Sequence, residues 1–126
     1  MSYKIDISKN KKYFRIKVDG EVSVKLAAEW SIELMKLSQS HGIQRYLFDT
    51  RTARNISSMV QNYDFAYRDS DELQLDRSAR SAILAAEEDT SHHFVVTTMR
   101  NAGFNVQLFT NEASAIAWLE EEEENY

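Results

Sequence analysis

The sequence contains no cysteine, no proline and only three glycines among its 126 residues. The absence of cysteine excludes disulfides, thiolate metal ligands and cysteine nucleophiles, and it is compatible with a reducing compartment. No apolar run approaches the roughly 20 residues that a membrane helix needs. The N-terminal stretch also lacks the continuous apolar segment of a secretory signal. We therefore expect a cytoplasmic protein without a membrane span.

Positive charge is not in excess either, since the formal net charge is −5. The five consecutive residues Glu120 to Glu124 carry all of this charge, so the remainder of the chain is neutral. A block of like charges repels itself and is typical of a solvated chain end. We predict one domain over residues 1–120 and an acidic, frayed tail over residues 121–126. A neutral body without a nucleic-acid motif also predicts that nucleic acid is not a partner.

Hydrophobic periodicity predicts a single α/β domain with the element order ββαβαβαβα. Phe14, Ile16 and Val18 alternate with charged residues, as in a strand with one buried face. Trp30 and Leu34 belong to a series with helical spacing. The predicted strands are 3–8, 12–19, 46–49, 81–86 and 106–109; the predicted helices run from Ser23 to Gly42, from Ser57 or Ser58, from Asp89 or Thr90 to Ala102, and from Thr110.

The closing segment FNVQLFTNEASAIAWLEE and the strand end LFDTR resemble the STAS-like (SpoIIAA-like) superfamily, whose prototype is a bacterial anti-sigma-factor antagonist. The similarity covers nearly the whole chain and is greatest to a branch of small, stand-alone bacterial proteins that mostly lack an assigned function. It implies a mixed five-stranded sheet, mostly parallel with an antiparallel edge, packed with four helices. It also implies binding of partners or small ligands rather than catalysis.

True antagonists carry a phosphorylatable serine at the start of the helix after the third strand. Ser57 and Ser58 lie near that place, but the expected Asp-Ser-x-Gly context is absent. Serine is also among the commonest residues to cap a helix by accepting a backbone N–H bond. We therefore favour a capping role over a kinase-controlled switch.

The loop from Asp49 to Ser58 has a second possible role as an anion site. Ligands of open α/β sheets bind beyond the carboxyl ends of strands, where a helix N-terminus offers unpaired N–H groups. In this hypothesis the amides near Ser57 and Ser58 hold a phosphate-like group, and Arg51 and Arg54 add bidentate hydrogen bonds. In the alternative, Asp49 and neighbouring acids neutralise the arginines at the surface. We favour the alternative because a glycine-rich loop is lacking.

Three aromatic residues, Tyr63, Phe65 and Tyr67, follow one another at two-residue steps on the predicted second helix. Such residues spread over roughly 200 degrees, which is more than one core-facing stripe covers. At least one of them should therefore face outward, and exposed aromatic residues are enriched at interfaces. We predict a homodimer that forms through this helix.

No residue pattern predicts catalysis, a metal site or a cofactor. A nucleophile elbow, a phosphate-binding glycine loop and an HExxH pair are all lacking. His92 and His93 are adjacent, so they project about 100 degrees apart on a helix and cannot chelate together. We interpret them as solvated residues of a helix-capping turn.

Two classes of function remain, and neither is enzymatic. The first is an interaction or regulatory module that acts as a homodimer or as a partner-binding subunit. The second is a carrier or sensor of a small amphipathic or anionic ligand. An apolar pocket between the helices and the sheet would favour the carrier, whereas a flat aromatic patch would favour the interaction module.

Overall fold

A mixed sheet of five strands organises the chain, which a computed structural model describes over residues 3–69, 71, 73 and 75–121. The strands lie side by side in sequence order; β1 is antiparallel to β2, and the other neighbours are parallel. The α/β fold class, the antiparallel edge and the element order are confirmed. The elements are β1 Tyr3–Ile7, β2 Phe14–Val22, α1 Val24–His41, β3 Arg45–Asn55, α2 Met59–Asp64 with a π-helical turn Phe65–Asp69, β4 Arg80–Leu84, α3 His93–Asn101, β5 Asn105–Phe109 and α4 Glu112–Glu120.

The first helix follows its sequence signals closely. The hydroxyl of Ser23 accepts the N–H of Leu26 and caps the helix start. Gly42 ends the helix with φ +69°, a left-handed conformation that a side chain would disfavour. Trp30 and Leu34 are buried and join the core, as their spacing predicts.

The two faces of the sheet carry two separate cores. On one face, Ile16 and Val18 of β2 pack with Trp30 of α1. On the other face, Leu47 and Leu84 pack against α4. Strand alternation separates the two sets, because successive side chains point to opposite sides. The helices α1, α2 and α3 therefore share one face, and α4 covers part of the other.

The third strand is longer than predicted. We expected it to end at Asp49, but β3 continues to Asn55 through a polar segment that reads as a loop. The second half of β2 pairs with it, beyond the last paired residue of β4, and forms a two-stranded ribbon. Between Asp49 and Thr52, β3 carries one residue more than β2 does, which shifts the register. Long-range pairing therefore decides this segment.

The ribbon joins the beginnings of two helices. The N–H of Ile56 donates to the carbonyl of Val22 at 2.8 Å. The N–H of Val24, the first residue of α1, donates to the hydroxyl of Ser57 at 2.9 Å. The start of α1 is thereby fastened to the segment that leads into α2.

Two predicted helix caps are wrong. Helix α4 is capped by Asn111, whose side chain accepts the N–H of Ser114, and not by Thr110. Helix α3 begins only at His93, because Asp89 and Thr90 form a separate turn ahead of it. In that turn, Asp89 accepts the N–H of Ser91 instead of capping the helix.

The predicted acidic tail, 121–126, lies outside the described residues except for Glu121. The far end of the predicted second helix, 69–76, is described only in part. Among the described helices, none combines the length and the apolar character needed to cross a membrane.

Candidate functional site

An apolar cavity of about 180 Å³ lies between the sheet and the helices α1, α2 and α3. Ser81 and Ile83 of β4, the strand between β3 and β5, face it and are only half-buried, whereas Ala82 and Leu84 on the other face are fully buried. The helices therefore do not close over β4. The main apolar side chains of the cavity wall are Val22, Ala27, Trp30, Leu34, Met35, Phe48, Phe65, Val95, Val96, Met99, Phe104 and Val106.

The polar residues of the cavity differ in how far their hydrogen bonds are satisfied. Thr50 donates to the carbonyl of Leu84, and Asn62 donates to the carbonyl of Ser57. Ser31 and Ser81 also line the cavity, and their hydroxyls make no hydrogen bond within the described part of the chain. The cavity thus presents two free hydroxyls in an otherwise apolar wall.

His92 belongs to this cavity, which corrects our interpretation of it as solvated. Its side chain is buried, and Nε2 lies 3.2 Å from the carbonyl oxygen of Ala53. Because a carbonyl only accepts, Nε2 carries the hydrogen of this bond. Nothing in the local sequence distinguishes His92 from its exposed neighbour His93, so burial depends on the contact with β3.

On the opposite face, Asp49 is the centre of an ion-pair cluster. Arg51 binds it in bidentate fashion, with Nε 2.9 Å and Nη2 2.8 Å from the two carboxylate oxygens. Arg15 Nη2 lies 3.0 Å from Asp49 and 2.6 Å from Glu112, and Lys17 Nζ lies 3.7 Å from Asp49. We call these five residues the Asp49 cluster. The sequence predicted the pairing of Asp49 with Arg51, whereas Arg15, Lys17 and Glu112 come from other elements and were missed.

The carboxyl of Asp49 is charged across the usual pH range. Burial alone would raise its pKa, but hydrogen bonds from the Arg51 side chain and backbone, with the charges of Arg51 and Lys17, outweigh burial and lower the pKa to about 2. The pKa of Glu112 is also lowered, chiefly by its hydrogen bond from Arg15. The cluster therefore holds three cations against two carboxylates.

The amides of the hypothetical anion site already have partners. Ser58 caps α2 by a capping box, in which its hydroxyl accepts the N–H of Gln61 and its own N–H donates to the Gln61 side chain. The N–H of Ser57 donates to the side chain of Asn55 at 3.0 Å. An anion at this helix start would have to displace these bonds.

The two arginines of the hypothesis do not converge. Arg51 points to the Asp49 cluster, whereas Arg54 is exposed and lies beside Asp89. Burial alone would raise the pKa of Asp89, but hydrogen bonds from Ser91, with a smaller contribution from the charge of Arg54, lower it. Both arginines thus lie near carboxylates. The anion site stays a prediction that this arrangement does not favour.

We expect that Arg51→Ala combined with Arg54→Ala leaves the affinity for inorganic phosphate unchanged. The reason is that neither guanidinium is positioned at the amides of Ser57 and Ser58. The measurement is a phosphate titration followed by the NMR shifts of those two amides. A saturable shift in the natural protein that disappears in the double variant would instead support the anion site.

The aromatic residues of the second helix divide between inside and outside. Phe65 is buried and lines the cavity, whereas Tyr63 and Tyr67 are 53% and 39% exposed. Their rings lie 4.6 Å apart between centroids. Val60 is also exposed, and the spacing 60, 63, 67 places it on the same side of the helix as the two tyrosines. We call this set the α2 stripe.

With the fold and its sites described, the chain can be compared with known proteins. The sequence profile of the family described as SpoIIAA-like matches residues 13–120. The chain belongs to the SpoIIAA-like family. No curated protein is significantly similar to it in sequence. The resemblance first seen in the closing segment is thereby confirmed.

A solved structure supports the SpoIIAA-like fold independently. It is an uncharacterised protein of the DUF3478 family, with a SpoIIAA-like fold, from Shewanella loihica PV-4. The two are 18% identical, the similarity covers 93% of this chain and 91% of that chain, and the TM-score is 0.55. At this identity the comparison establishes the fold of this SpoIIAA-like protein and leaves its ligand and partners to physical argument.

Proposed function

We propose that this SpoIIAA-like protein is a non-catalytic module that binds a small amphipathic molecule in the cavity beneath α1, α2 and α3. The observation that carries the proposal is the cavity itself, about 180 Å³ of mainly apolar space. A dry apolar cavity of ~150 Å³ is large enough to bind benzene. A molecule with between six and about nine non-hydrogen atoms therefore fits the space.

The contents of the cavity wall support binding over catalysis. A wall of aliphatic and aromatic side chains with a few polar groups is typical of small-molecule sites. The side chains of Thr50 and His92 already form hydrogen bonds with backbone carbonyl oxygens. Groups available to a ligand include the hydroxyls of Ser31 and Ser81, which orient a bound molecule without activating it.

Titration with 1-hexanol tests this function. We expect saturable NMR shifts for residues of the cavity wall, such as Ser31, Ser81 and Val96, because the alkyl chain displaces empty space there. Ala115 of α4 is buried in the other core and serves as the internal control. If the shifts rise linearly without saturation, or if Ala115 shifts equally, the cavity is not a binding site.

A second candidate function, homodimerisation or partner binding, is supported by the α2 stripe. Val60 is 70% exposed and Tyr63 is 53% exposed. Covering such apolar side chains with a partner protein would be favourable, because it removes apolar surface from water. Asp64 and Arg68 pair at 3.2 Å along the same helix. Two copies that meet around a twofold axis can exchange these opposite charges, so the surface is self-complementary.

We expect Val60→Glu to shift the protein from dimer to monomer, because the substitution places a charge in the centre of the α2 stripe. Ile32→Glu is the matched control, since Ile32 is 45% exposed on α1 and lies outside the stripe. Native mass spectrometry and sedimentation over a dilution series report the change. A natural protein that is monomeric at every concentration would contradict the dimer.

A further inference from the structure

The charge of the cavity wall restricts which molecules it can accept. The wall contains no lysine or arginine among the described residues, and the side chains outside the description include neither type. Among the lining residues that the structure describes, Asp76 is the one carboxylate. An anionic ligand would therefore bring its charge into a site without a counter-charge, which is strongly unfavourable in an apolar environment.

Asp76 also marks the entrance of the cavity. It is the one exposed residue among those described in the wall, where all others are buried or half-buried. Its carboxylate accepts the N–H of Ser78 at 2.9 Å and the Ser78 hydroxyl at 2.6 Å. Within the described part of the chain it forms no ion pair, so its negative charge stays available.

Arg77, which follows Asp76 in the chain, has partners of its own. Arg77 stacks over the outer side of the Phe104 ring, with its guanidinium carbon 4.7 Å from the ring centroid. It pairs with Asp71 at 2.7 Å and donates to the carbonyl of Ala102 at 3.2 Å. Arg77 thus packs on Phe104, which lines the cavity, and forms its ion pair with Asp71. The field of Asp76 extends into the site, since after burial its charge contributes to raising the pKa of Tyr46 on the cavity floor.

We infer that the ligand of this cavity is a neutral or cationic amphiphile, an alcohol or a primary amine with a short apolar tail, and that it is not a fatty acid or another anion. The inference rests on the proposed binding function and specifies its ligand class. The apolar tail lies against the aliphatic and aromatic wall beneath α1 and α3. The head group lies at the Asp76 end, where a hydroxyl or ammonium donates to the carboxylate and an incoming carboxylate is repelled.

A series of three molecules with the same six-carbon tail tests this inference. We expect hexylammonium to bind about fivefold more tightly than 1-hexanol, and hexanoate at least fivefold more weakly, because a pair of charges near water interacts with roughly this strength. Affinities are measured by calorimetry at low ionic strength, where such interactions are least screened. The same titrations in higher salt should bring the three affinities together.

Asp76→Asn is the variant that isolates the head-group effect. It should lower the affinity for hexylammonium to about that of 1-hexanol and raise that for hexanoate. The affinity for 1-hexanol should change least, since the amide oxygen of asparagine still accepts its hydroxyl. Asp6→Asn is the matched control, because Asp6 is an exposed carboxylate on β1 that does not line the cavity. It should leave the ranking of the three molecules intact.

The outcomes separate the ligand class from the function. If none of the three molecules binds with saturation, the proposed function fails. If hexanoate binds the natural protein as tightly as hexylammonium or more tightly, the cavity is a binding site but the ligand class inferred here is wrong. Equal effects of Asp6→Asn and Asp76→Asn would likewise overturn the role of Asp76 at the entrance.

Discussion

Asp49→Asn should destabilise the protein by about 2–3 kcal/mol at neutral pH, one of the two largest effects that we expect. The carboxylate of Asp49 is 2% exposed and is the shared partner of Arg15, Arg51 and Lys17. The lowering of the Asp49 pKa from its ordinary value of 3.8 to about 2 in the folded state by itself corresponds to ~2 kcal/mol of unfolding free energy. The side chains of the three cations are 31–41% exposed, so water can solvate them once the carboxylate is gone. The loss of unfolding free energy therefore stays below that of breaking a fully buried ion pair.

The pH dependence of this effect has a defined sign. Because the folded-state pKa of Asp49 lies below its ordinary value, the carboxylate contributes its full stabilisation above about pH 4. The contribution is lost as the pH falls from about 4 through about 2, since the proton then binds the folded state too. The difference in unfolding free energy between the natural protein and Asp49→Asn should therefore shrink over this interval.

Urea denaturation from neutral pH down to pH 2 measures both effects. Asp19→Asn is the control: its carboxylate is 66% exposed, lies 3.9 Å from Lys17 and should contribute no more than ~1 kcal/mol. If Asp49→Asn unfolded at the same urea concentration as the natural protein, the Asp49 cluster would be energetically neutral. A difference that stayed constant down to pH 2 would contradict the low pKa.

Ser81→Leu should fill the cavity and weaken 1-hexanol binding roughly 50-fold, because three added carbons displace about as many from the ligand. Ser81 is half-buried on β4 and faces the cavity. The ligand-free variant should also be more stable by ~0.5–2 kcal/mol, as is common when a cavity is filled. Binding and stability should thus change in opposite directions.

Gln107→Leu is the matched control for this substitution. Gln107 lies on the neighbouring strand β5, is half-buried and does not line the cavity. The same new side chain there should leave 1-hexanol binding unchanged. The affinity of folded Ser81→Leu for 1-hexanol is measured by calorimetry. If it equals that of the natural protein, the ligand binds elsewhere on the protein.

Local signals in the sequence predicted most of the fold because they act over a few residues. Ser23 and Gly42 cap α1 within a single helical turn, and the alternation along β2 reflects the sheet beneath it. The extension of β3 was missed for the opposite reason. Its polar residues 50–55 have no apolar pattern and become a strand only because the second half of β2, more than 30 residues away, pairs with them.

The sites were less predictable than the fold, since each depends on contacts between distant elements. Asp49 and Arg51 are two residues apart and their pairing was foreseeable, but Glu112 joins them from α4. The inside position of Phe65 and the outside positions of Tyr63 and Tyr67 agree with an angular spread wider than one stripe. The cavity has no sequence signature beyond Ser81, a serine in the middle of a buried strand.

The ribbon formed by the second halves of β2 and β3 has a kinetic consequence for any molecule in the cavity. It fastens the start of α1 to the segment before α2 through the hydrogen bonds Ile56 to Val22 and Val24 to Ser57. These bonds join the elements at that end of the cavity, and in the binding function proposed above the ligand enters and leaves at the Asp76 end. Association and dissociation then share one route, so a change that narrows the entrance slows both rates equally and leaves the affinity as it was.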